Sequence, residues 1–195
     1  MKYLKLFENF KEIHKICREY GIENYTINSD GSIDVDGYVD LSCKGLTKLP
    51  VKFNHVSGGF CCSWNKLKTL EGSPQSVGGY FSCYKNNLTN LTGAPQSVGG
   101  NFNCYGNKLT TLEGGPKSVG VNFICYGNKL TTLEGSPKSI GGFFYCWDNN
   151  LTTLEGCTQS VVGDFDCRNN KLTTLDGGPK SVGGNFECDG NKILT

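Results

Sequence analysis

Histidine and net charge are both scarce in this chain. Only two histidines occur in 195 residues, His14 and His55, and neither stands in a metal-ligand spacing or beside a recurring acid. The formal charges nearly cancel at +1, so the field of the whole protein gives no reason to expect nucleic acid or an anionic membrane as partner. No apolar run approaches the ~18 residues needed to span a bilayer. The opening MKYLKLFENFKEIHKICREY does not read as a secretory signal, because Lys5, Glu8, Lys11 and Glu12 interrupt any apolar stretch. There is no C-x-x-C pair for a structural zinc. The glycine pairs lack the following Lys-Ser/Thr on a helix that marks a phosphate loop. Catalytic residues, metal and cofactor are therefore all expected to be none.

Glycine and cysteine are abundant instead, at 27 and 11 residues. The cysteines are periodic. Cys62, Cys83, Cys104, Cys125, Cys146, Cys167 and Cys188 recur every 21 residues, and CYGNKLTTLEG occurs twice, at 104–114 and 125–135. Such regularity suits a repeated packing position, with cysteine acting as a small hydrophobe, better than a set of disulfides. A reducing cytoplasm is the compartment this implies. Cys157 stands where other repeats carry Ser, Gly or Ala, and is expected to be the exposed thiol.

Counted from the cysteine, the unit is C-x-x-N-x-L-x-x-L-x-G-x-P-x-S-V-G-G-x-F-x. A period of this size means a solenoid, in which each coil buries its apolar side against its neighbours. F-x-C alternates with period two, as a strand pointing Phe and Cys inward does. The asparagines, Asn65 through Asn191, should turn the chain and bond backbone groups left unpaired there. VDLSCKGLTKL is a degenerate first copy, with Leu41 in the cysteine position and Leu46 and Leu49 in phase.

These residues resemble the leucine-rich repeat, L-x-x-L-x-L-x-x-N-x-L, with Phe and Cys replacing two leucines, over about residues 39–195. The wording SVGGNF-x-C-x-x-N-K-L-T-T-L-E-G and the opening MKYLKLFENF are also similar to repeat proteins encoded by tailed bacteriophages. The expected fold is mainly β: a right-handed, leucine-rich-repeat-like solenoid of seven to eight 21-residue coils with one parallel sheet. Ahead of it, Leu6, Phe10, Ile13, Cys17 and Tyr20 predict an amphipathic helix over 1–22. YTINSDGSIDVDG predicts a hairpin over 23–38 that turns at Asp30-Gly31. Helix and hairpin would cap the first coil. The last coil, at NKILT, has no such lid, so either a tail that folds over that edge or a homodimer joined through it is expected.

Function is sought on the strand residues that should face outward. Just after the cysteine come Tyr84, Tyr105, Tyr126, Trp147, Arg168 and Asp189. Just before it come Ile124, Tyr145, Asp166 and Glu187, and three before it come Phe143 and Asp164. Cross-strand stacking accounts for the tyrosines of the first row. It accounts poorly for Ile124, Phe143, Tyr145 and Trp147 together, since a contiguous exposed apolar patch marks an interaction site. The sequence thus predicts a non-enzymatic module that binds a protein through an aromatic and acidic face. The phage resemblance implies a host protein, one acting in antiviral defence, as that partner. A self-assembling protein and a small-ligand or glycan binder are the rival expectations. Rows of Lys and Glu beside the leucines are expected to form a solvated flank, with ion pairs worth little each.

Overall fold

In the computed structural model residues 2–193 are described, with side chains from Phe10 onward. One α-helix, Lys2–Tyr20, is followed only by short strands. The helix packs Ile13 and Cys17 into the core, with Phe10, Ile16 and Tyr20 partly buried against it. The Tyr25 hydroxyl lies 2.6 Å from His14 Nδ1, joining the helix to the hairpin of Tyr25–Ile27 and Ile33–Val35. Within the turn Asp30 accepts the Ser32 N–H at 3.0 Å. The expected helix and hairpin are both present.

Beyond the hairpin the chain winds into a solenoid. The Phe-containing strands form a front sheet of eight parallel strands, running from Val39–Asp40 to Phe186–Glu187. Register is fixed at one coil: Phe60 lies opposite Phe81, Phe81 opposite Phe102, and Phe123 opposite Phe144. Val39 pairs with Phe60, which puts Leu41 in phase with Cys62. Phe, Cys and the two leucines of the middle coils are fully buried. Consecutive Phe rings sit about one strand spacing apart, with centroids at 5.3 to 5.5 Å.

The expectation of a single parallel sheet needs correction. Each S-V pair is also a strand, and these pair in parallel, coil to coil, in a seven-stranded back sheet that runs from the hairpin through Ser139–Ile140. Val points inward and Ser outward, the same period-two logic on a two-residue scale. The hairpin is continuous with this sheet, because Ile33–Val35 pairs in parallel with Phe53–Val56. The following glycine has a steric duty. A Cβ on Gly120 would be driven into the Gly99 carbonyl of the coil before. The N–H groups in this column bond the preceding valine carbonyl: Gly99 to Val77 at 2.9 Å, Gly120 to Val98 at 2.8 Å and Gly141 to Val119 at 3.0 Å.

One coil breaks the pattern. Val162 takes the glycine position and Thr158 the proline position. There the back sheet stops, to resume as a separate pair, Ser160–Val161 with Ser181–Val182. The Thr158 hydroxyl donates to the Lys138 carbonyl at 3.3 Å, a carbonyl position that takes a backbone N–H in the coils on either side.

Asparagine ties neighbouring coils together. Asn107 Nδ2 donates to the carbonyls of Cys83 at 3.1 Å and Cys104 at 3.0 Å. Its Oδ1 accepts the N–H groups of Asn86 and Leu88, both at 3.1 Å. Asn65, Asn128, Asn149 and Asn170 make the corresponding bonds to cysteine-position carbonyls. The Lys and Glu rows lie exposed on the flank. Among the described residues they form no ion pairs, so the flank is solvated and its charges do not bridge the coils.

Candidate functional site

The residue just after each cysteine leaves the core at the end of the front sheet, and in the middle coils it is aromatic. Strand spacing brings such rings into contact. Tyr84, Tyr105 and Tyr126 stack at 4.7 Å per step, within 12° of parallel, and Trp147 stacks on Tyr126 at 4.1 Å and 10°. The result is a rail of four rings, each half-buried by its neighbours. Burial raises the phenol pKa of Tyr105 and Tyr126, with the adjoining tyrosine of the rail a second cause.

At the end of the rail the surface broadens. Phe143 and Tyr145 lie two apart on one strand and so share its face. Their rings stack at 5.5 Å and 23°. Phe143 remains 37% exposed and leans over Gly163 of the next coil, where a Cβ would meet its ring. Ile124 pairs with Tyr145 in register on the preceding strand. Ile124, Phe143, Tyr145 and Trp147 therefore form one apolar platform.

The acidic part of the expected face is smaller than the sequence implied. Asp166 is only 4% exposed. Arg168 turns back on its own strand and holds it through two bonds, Nε to Oδ1 at 3.0 Å and Nη2 to Oδ2 at 2.7 Å. Arg168 also pairs with Glu187 at 3.0 Å. Two of the four acids are thus neutralised within the chain. Asp164 is half-buried and accepts the Asn185 N–H at 2.8 Å, leaving its second oxygen beside the platform. Asp189 is exposed.

Two aromatic residues outside the expected set join the face. Trp64, 53% exposed, meets Tyr84 edge-on at 6.2 Å. Lys85 Nζ lies 5.9 Å from the Trp64 ring and 5.6 Å from that of Tyr105, within cation–π range. Trp64 belongs to a column two after the cysteine in which Trp64, Lys85, Gly106, Gly127, Asp148, Asn169 and Gly190 all have positive φ. The glycines of CYGN signalled that left-handed column, and a non-glycine residue there was the available clue. Tyr80, which with Tyr84 flanks the strand Phe81–Ser82, is exposed as well.

The periodic cysteines lie beneath this face, and Cys61 opens onto it. The column from Cys62 to Cys167 is fully buried, while Cys61 turns to the opposite side and is half-buried. Desolvation lifts the thiols of Cys83, Cys125 and Cys146 well above their usual range. The expectation for Cys157 is reversed. It is buried, with its thiol pushed up to about 12 by burial, because its column of small residues, including Ser73 and Ala94, faces inward. Among the described residues no group of three or more His, Cys, Asp or Glu could hold a metal, and no helix is long and apolar enough to cross a membrane.

A shallow trough of about 670 Å³ runs along the back sheet over the Ser and Gly columns, between His55 and Val162. Its floor is a row of serines, Ser76, Ser97, Ser118 and Ser139, with His55 at one end. A smaller hollow of about 290 Å³ lies on the front face between Tyr80, Tyr84 and Ile124. No protein-family model and no curated protein matches the chain.

Proposed function

We propose that this protein is a non-enzymatic binding module whose front face engages a protein partner through Ile124, Phe143, Tyr145 and Trp147. The observation that carries the reading is the stacked Phe143–Tyr145 pair, held open to solvent beside Trp147. Nothing in the winding of the solenoid requires it. Stacking within the rail is reason enough for Tyr84, Tyr105 and Tyr126, but Phe143 lies outside the rail, against Tyr145 and over Gly163. Preformed rings lose little side-chain entropy on binding, which is why Trp and Tyr dominate binding hot spots. Burial raises the Tyr145 phenol pKa, and Asp164 lies near enough to raise it further; that carboxylate favours a partner with a basic group at the platform's rim.

The similarity to phage-encoded repeat proteins supports a host protein, met in the host cytoplasm, as the partner. The leucine-rich-repeat resemblance supports the same use of a front sheet. The test is affinity capture from a host lysate with wild type and a Phe143→Ala, Tyr145→Ala, Trp147→Ala variant shown by circular dichroism to be folded. Identified partners are then titrated directly against both. The variant should lose at least tenfold in affinity. Equal affinity of the two proteins for every captured partner would move the interface off the platform.

A further inference from the structure

We propose that the front-face hollow between Tyr80, Tyr84 and Ile124 binds a neutral sugar ring, with the Asn101 and Asn103 carboxamides reading its hydroxyls. The proposal is separable from the protein-binding reading: the two share Ile124 at their boundary, but Tyr80, Asn101 and Asn103 lie outside the platform.

The hollow comes from small residues among large ones. In the row just before the cysteines, Cys61, Ser82 and Asn103 precede the bulkier Ile124 and Tyr145. Ser82 is held down, its hydroxyl 3.0 Å from that of Ser63. Tyr80 and Tyr84, which flank the strand Phe81–Ser82, rise on either side. The Tyr80 ring lies back over Gly59, a position open to it only because Gly59 has no side chain. Tyr84 is braced by its stack on Tyr105. Both walls are therefore aromatic and positioned before any ligand arrives.

The polar groups are neutral and available. Asn103 Oδ1 accepts the Tyr105 N–H at 3.2 Å, and Asn101 Oδ1 accepts the Asn122 N–H at 3.1 Å. Those bonds orient each carboxamide and leave both Nδ2 groups without a partner among the described residues. The Tyr80 and Tyr84 hydroxyls are likewise unpaired among the described residues. Burial, with Cys61, Asp40 and Tyr38 nearby, holds the Tyr80 phenol above its usual range, so it remains a neutral donor. No acidic or basic side chain lines the hollow.

This combination selects a ligand class. A sugar ring presents C–H groups on its faces, which pack on aromatic rings, and hydroxyl groups on its rim, which accept from amide N–H and phenol O–H. A charged ligand would find no opposite charge to offset its desolvation. The volume of about 290 Å³ lies just below the range of about 300–1,000 Å³ for drug-sized ligand sites, which suits a single ring.

The test is protein-observed NMR titration with the methyl glycosides of glucose, galactose, mannose and N-acetylglucosamine. At least one should bind with Kd of about 1–10 mM, shifting the Asn101 and Asn103 side-chain amide signals. Tyr80→Ala should weaken it at least tenfold. Asn103→Asp, which keeps the acceptor for Tyr105 but removes the donor, should weaken it severalfold. The Phe143→Ala, Tyr145→Ala, Trp147→Ala protein should bind the sugar as wild type does. Absence of binding by every glycoside at ~20 mM, well above the expected Kd, overturns the proposal. Binding unchanged by both Tyr80→Ala and Asn103→Asp, or lost only in the platform variant, overturns it too. None of these outcomes bears on whether the platform binds protein.

Discussion

Replacing Asn107 with alanine tests how the coils are held together. Its side chain is only 7% exposed and spans two coils. The two carbonyls it serves keep a second partner each, since Asn86 also donates to Cys83 at 3.1 Å and Asn128 to Cys104 at 3.1 Å. The N–H groups of Asn86 and Leu88 have no substitute for its Oδ1. An unsatisfied buried donor costs roughly 1–3 kcal/mol, so the pair should cost about 4 kcal/mol. That is a large share of the roughly 5–15 kcal/mol that holds a typical domain. The assay is urea unfolding followed by circular dichroism and by tryptophan fluorescence, using Trp64→Phe and Trp147→Phe backgrounds. Those tryptophans lie on either side of the altered coil, so they report whether its two flanks still unfold together, as coupled repeats do. Lys108→Ala, one residue away and exposed, is the control and should change stability by less than about 0.5 kcal/mol. A loss below about 1 kcal/mol for Asn107→Ala would refute the argument, because it would mean that the orphaned donors find other partners.

Three further outcomes are expected. Gly120→Ala should destabilise by about 1–3 kcal/mol in the same urea assay, since its Cβ has backbone rather than a flexible side chain in its way; Val162→Ala, in the coil where the back sheet is already interrupted, should cost under about 1 kcal/mol. In native protein a thiol reagent should modify exposed Cys43 and half-buried Cys61 and Cys188 first, and the remaining cysteines, Cys157 included, only on unfolding. Lys52 at 2.7 Å and the bonds from Ser32 hold the Asp30 carboxyl well below the usual carboxylate range. A group depressed in the folded state contributes stability above its unfolded pKa, near 4, and loses it as pH falls through the folded value. Wild type should therefore be more stable than Asp30→Asn at neutral pH, with the difference shrinking steadily below about pH 4 in acid titrations.

Much of the architecture was legible because a solenoid repeats one local solution. The cysteine, phenylalanine and leucine columns announced the core, and Asp30-Gly31 between alternating residues announced the hairpin. The back sheet was not legible in the same way. A two-residue Ser-Val strand carries too little alternation to stand out, and it becomes a strand only because the front sheet has already fixed the coil spacing. Cys157 misled for a related reason. Its column of Ser, Gly and Ala looked solvent-facing by polarity, whereas small size at a close inter-coil contact is what that position selects.

The candidate site divides along the same line. Position within the repeat singled out Phe143, Tyr145 and Trp147, because alternation about Cys146 turns all three outward and nothing in the core asks for aromatic residues there. Which acids remain available was a matter of contacts between neighbours: Arg168 could have reached solvent, but it folds back on Asp166 and Glu187. The hollow at Tyr80 depended on a glycine one coil away. The sequence by itself determined the period, the core and the direction each strand residue faces, because those follow from local chain geometry repeated 21 residues at a time. Only the tertiary structure decided which charges cancel, which rings stack and where the face is concave, because each of these depends on side chains from different coils meeting in space.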